Sequence, residues 1–71
     1  MAKFTWQPLY EAAMFETESS IILSRASAAE NAILDRLEDE AHGRCVLDSN
    51  ERQAIENARK FLGTLRQAYA A

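Results

Sequence analysis

The chain has 71 residues, with 11 acids against 8 lysines and arginines, a formal charge of −3, and a single cysteine and a single histidine. That length allows one domain over residues 1–71, and cores of this size supply only about 3–5 kcal/mol unless stapled or oligomeric. Cys45 cannot form a disulfide within the monomer, and one His with one Cys cannot complete a four-ligand zinc site, so oligomerisation is the remaining support. The negative charge argues against general nucleic-acid binding.

No apolar core of a signal peptide follows Met1-Ala2-Lys3, and the longest uninterrupted apolar run, Ala12 to Phe15, is far short of the ~20 residues of a spanning helix. A lone thiol suits a reducing compartment, so a cytoplasmic protein without a membrane segment is expected.

The first element is expected over roughly Pro8 to Thr17. Pro8 fits a first helical turn, and with Thr5 as N-cap, Phe4 and Leu9 occupy the two ends of a hydrophobic staple. Leu9, Tyr10, Ala13 and Met14 form its apolar face. Thr17-Glu18-Ser19-Ser20 then breaks the pattern, with Ser19 or Ser20 as the expected cap of the next helix.

The second element, Ser20 to Ala41, repeats Ile22, Ala26, Ala29, Ile33 and Leu37 at the three-four spacing of a buried stripe. It ends at His42-Gly43, where glycine suits the left-handed position past a helix end. The third element, Ser49 to Ala71, opens with Asp48 as N-cap and Glu51 three residues on, the two halves of a capping box. Its seam is Ile55, Ala58, Leu62, Leu65 and Tyr69, with Ala54, Phe61 and Ala68 beside it. Gly43 to Asp48 is short enough to join antiparallel neighbours. The expected fold is therefore all-α: a short first helix, then a long antiparallel helical hairpin, pairing into a dimeric helical bundle.

The short helix covers part of the hairpin only. The half nearest the loop is expected to stay less covered, which makes Ile33, Leu34, Leu37, Val46, Leu47, Ile55 and Ala58 the candidate interface with a second copy. Arg52, Arg59 and Arg66 recur every seven residues along the third helix and form a candidate face for an acidic partner. The competing assignment for these arginines is a solvated face paired with the acidic helices. No aromatic residues interleave with them to stack on bases.

Other chemistry is sparse. Asp39 and His42, three apart, loosely evoke half of a di-iron carboxylate site, but a histidine at a helix C-terminus is accounted for by the helix dipole. Cys45 has no obvious catalytic partner, and Gly63, inside a helix, suggests a close approach by Trp6 or Phe4. No catalytic, cofactor-binding or metal residue is assigned.

Trp6-Gln-Pro-Leu9-Tyr10-x-Ala12-Ala-x-x-Glu16, followed by Ala29-Glu30-x-Ala32-Ile33-x-x-Arg36, resembles a group of short uncharacterised bacterial helical proteins. The resemblance spans about the first 40 residues. It implies a bacterial helical protein and brings no activity with it. Trp6, Tyr10, Glu30 and Arg36 are the positions it marks, and Glu18-Ser19 stands where that group commonly has a turn-forming Asp-Pro.

The expected function is that of a non-enzymatic protein–protein interaction or self-association module, as a homodimer or on an unidentified protein partner. The alternative is a small regulator touching nucleic acid through its basic third helix.

Overall fold

The computed structural model describes residues 4–69, which form three helices: α1 (Gln7–Met14), α2 (Ser19–Ala41) and α3 (Ser49–Tyr69). Among the described residues there are no strands. α1 packs on α2, and α2 on α3. The last two residues of the expected third helix lie outside the described residues.

The helix ends show why the chain turns where it does. α2 closes with Gly43 at φ 75°, the Gly43 N–H donating to the Glu40 carbonyl (3.0 Å) and the Arg44 N–H to that of Asp39 (2.8 Å). This is a Schellman closure, which needs the left-handed residue that glycine supplies without strain. α3 is capped as expected, the Glu51 N–H donating to Asp48 Oδ1 at 2.7 Å. The return arm of the capping box is absent, because the Glu51 side chain turns into the core instead.

The first turn departs from the expectation. α1 is only eight residues long and its N-cap is Trp6, not Thr5. Phe4 stacks on Trp6, with ring centroids 5.4 Å apart and planes 8° from parallel, while Leu9 is exposed. Neither serine caps α2: Glu18 holds the N-cap position without a side-chain hydrogen bond. Glu16 secures this turn from outside the helix, its Oε1 accepting the N–H groups of Thr17 and Glu18 (both 3.0 Å) and its Oε2 meeting Arg25 at 2.9 Å.

The core runs along one side of the hairpin, through Ala26, Ala29, Ile33, Leu47, Ile55, Ala58 and Leu62, and is closed by Trp6 and Ala13. An aromatic ladder carries α1 across to α3: Trp6 lies 6.0 Å from Tyr10, and Tyr10 meets Phe61 edge-to-face, also at 6.0 Å. The molecule measures 37 × 25 × 16 Å. With helices about 8–10 Å apart, its thinnest dimension holds the hairpin and one covering helix and no third layer.

Candidate interaction face

Ile33, Leu47, Ile55 and Ala58, four of the seven expected interface residues, are buried within the single chain, at 0–4% exposure. The expectation that they lack cover is corrected, and the reason is Trp6. Its indole reaches the first turn of α3, near the loop, and joins the core cluster to which Ile33, Leu47, Ile55 and Ala58 belong. The other three residues stay open: Leu34 is 51% exposed, Val46 is 87% exposed, and Leu37 is only partly buried.

Trp6 is anchored by a buried ionic cluster that the periodicity of the sequence does not announce. Its Nε1–H donates to Glu51 Oε2 at 3.2 Å. Arg36 grips the same carboxylate with two bonds, Nε to Oε2 at 2.9 Å and Nη2 to Oε1 at 3.1 Å. Glu51 is buried, so its charge must be matched inside the fold, and a bidentate arginine provides that. The same hydrogen bond holds Arg36 charged beyond its usual range. One contact from the lead-in to α1 and two from α2 thus meet at a single carboxylate of α3.

On the side of the hairpin away from Tyr10 and Phe61 lies an open groove of about 480 Å³ between α2 and α3. Leu37 and Ile55 supply its apolar lining; Arg52, Glu56, Arg59 and Lys60 supply the charged part. Arg52, Arg59 and Arg66 share this side, being seven apart on one helix. They do not share a role. Arg52 pairs with Glu40, whose Oε2 also accepts the Leu47 N–H at 3.0 Å, and Arg66 pairs with Glu30 at 3.2 Å.

These two pairs clamp α3 to α2 at either end of the groove, as the solvated-face assignment expects. Arg59, midway between them, lies beside Leu37 in the groove lining and has no ion pair among the described residues. The Arg52, Arg59 and Arg66 stripe offered to an acidic partner is therefore two-thirds engaged within the chain.

The remaining candidates resolve into local structure. Asp39 pairs with Arg44 at 2.9 Å, and among the described residues no group of three or more His, Cys, Asp or Glu is placed to hold a metal ion. Cys45 is half-buried, its sulfur 4.0 Å from the Arg36 carbonyl. Gly63 is not a site of close approach: a Cβ added there meets nothing within 4 Å, so neither Trp6 nor Phe4 packs against it. A second notch, lined by Phe4, Tyr10, Met14, Ala54 and Asn57 among others, follows the seam where α1 meets α3.

No protein-family model matches the chain, and no similar curated protein or solved structure was found. The four positions marked by the resemblance nonetheless have structural roles here. Trp6 and Arg36 meet on Glu51, Tyr10 joins the aromatic ladder, and Glu30 receives Arg66.

Proposed function

We propose that this chain is a non-enzymatic helical module whose task is association, first with a second copy of itself and otherwise with another protein, in a bacterial cytoplasm. The observation that supports this most directly is one-sidedness. α1 covers one side of the hairpin, while the other carries an open groove where the half-buried Leu37 lies among Arg52, Glu56, Arg59 and Lys60, with Arg59 in no ion pair among the described residues. A 71-residue chain gains stability from covering such a surface, because its own core is small.

Light scattering on purified protein across a concentration series tests the reading. It predicts a mass rising to twice the 8.0 kDa of the chain. A mass that stays at 8.0 kDa up to about 1 mM, a concentration at which even weak dimers form, removes self-association.

A further inference from the structure

The two junctions of this chain are built differently. Between α2 and α3, Gly43 stands at φ 75° and Asp48 Oδ1 accepts the Glu51 N–H at 2.7 Å, so each helix end has its own stop. Between α1 and α2 lies Phe15–Glu18, with no glycine, no proline and no positive φ. α1 ends at Phe15 (φ −98°, ψ 3°) without a left-handed residue, and α2 begins at Glu18 without a side-chain cap. Glu16 fastens this turn, through the Thr17 and Glu18 N–H groups and through Arg25.

These four residues are all compatible with a helix, and in an unbroken one the Thr17 and Glu18 N–H groups donate to the Ala13 and Met14 carbonyls instead. Joining α1 to α2 also removes two helix ends whose backbone groups otherwise need partners. What keeps the chain bent is the seat of α1 on the hairpin: Trp6 on Glu51, Tyr10 against Phe61, and Ala13 in the core. An eight-residue helix does not hold alone, since even about 12–15 residues are marginal, so a detached α1 stays helical only as an extension of α2. The segment that fits the vacated seat is α1 itself, and a second copy carries one.

We propose that two copies of this chain exchange α1. Each α1–α2 turn straightens, and each α1 takes the seat on the other hairpin, with Trp6 on Glu51 and Tyr10 on Phe61 now between chains. Because α1 doubles back on α2, its seat accepts a helix antiparallel to α2. Two straightened helices related by a two-fold axis run antiparallel, as the exchange requires. The axis falls at the former turn, where Phe15, 74% exposed in the single chain, gains cover. This route does not use the groove between α2 and α3, and it needs α1 to detach first.

The test holds the protein at about 1 mM, warms it through its melting midpoint, cools it, dilutes it to about 1 μM and sizes it by light scattering. A species of twice the 8.0 kDa chain mass is expected to persist after dilution, because its return to single chains requires α1 to leave its seat. Glu16→Ala unfastens the turn and is expected to raise that fraction severalfold. Ser19→Pro is expected to abolish it. Ser19 is the first residue of α2, where proline is accepted, and Glu18 (φ −94°, ψ 112°) already has the extended backbone that precedes a proline. Inside a straight helix the same proline breaks the chain of hydrogen bonds.

A Ser19→Pro protein with as much dilution-resistant dimer as the wild type overturns the exchange, and so does absence of that dimer from both the wild type and Glu16→Ala. Leu34→Glu, away from the turn, is expected to keep the exchanged species. Neither overturning result touches association through the groove side, which the unheated concentration series reads. A chain monomeric in that series and dimeric after warming removes the groove-side reading and keeps the exchange. Should Ser19→Pro lose helicity by circular dichroism, Thr17→Gly replaces it. Glycine disfavours the straight helix in both chains, with an expected fall in the exchanged fraction of about tenfold, and an unchanged fraction overturns the proposal.

Discussion

Inside a small core three donors share the two oxygens of Glu51, and that makes it the most demanding single residue in the chain. Glu51→Gln retains the shape but removes the charge, leaving Arg36 half-sheltered without its counter-ion. The expected loss is about 2 kcal/mol, the scale of hydrogen bonds to charged groups. Urea unfolding monitored by Trp6 fluorescence measures it, and an unchanged midpoint contradicts the assigned role.

Gly63 calls for the opposite result: with nothing near its missing side chain, Gly63→Ala is expected to stabilise the chain by about 1 kcal/mol through helix propensity alone. Thermal melting reads the change, and a lower midpoint for Gly63→Ala shows that something does approach this backbone.

Glu16 carries a pH dependence. The N–H of Glu18, and after it Arg25, hold its carboxyl below the ordinary value of 4.5. A lowered folded pKa stabilises the fold above the unfolded value, and the contribution fades as pH falls through the folded one. The turn between α1 and α2 is therefore expected to loosen as pH falls below the ordinary value of 4.5. In Glu16→Gln that step in amide exchange at Thr17 and Glu18 is expected to vanish, and its persistence contradicts the assignment.

At the scale of elements, the long helices were readable because their signals are local. A three-four stripe, an Asp48 cap and a Gly43 stop each act within a turn, and the structure has all three. The short helix was less readable because its limits depend on distant partners. Trp6 becomes the N-cap while its indole is drawn to Glu51, 45 residues away, and that pull is absent from any local window.

The same cause shifted the candidate site. Helix length alone leaves Ile33, Leu47, Ile55 and Ala58 less covered, whereas an aromatic residue ahead of the helix packs into one buried cluster with these four. Trp6→Ala is accordingly expected to cost about 3–5 kcal/mol, the range for emptying a core aromatic site and comparable with the whole stability of a chain this small. Loss of cooperative melting is the expected observation, and a Trp6→Ala protein that melts like the wild type contradicts the place given to Trp6 in the core.

At the scale of the molecule, the fold is two layers with one bare side. The charge ladder between α2 and α3 is complete at its ends, through Arg52 with Glu40 and Arg66 with Glu30, and interrupted in the middle, where the groove lining places Leu37 beside Arg59. The ladder's ends hold the hairpin together, and at its interruption the groove lining leaves Arg59 without an ion pair among the described residues.

The most direct test is Leu34→Glu, a change at a half-exposed position that contributes little to the chain's own core. The account predicts unchanged helicity and a light-scattering mass that falls from twice the chain mass to that of a single chain at matched concentration. A variant that keeps the wild-type mass contradicts it.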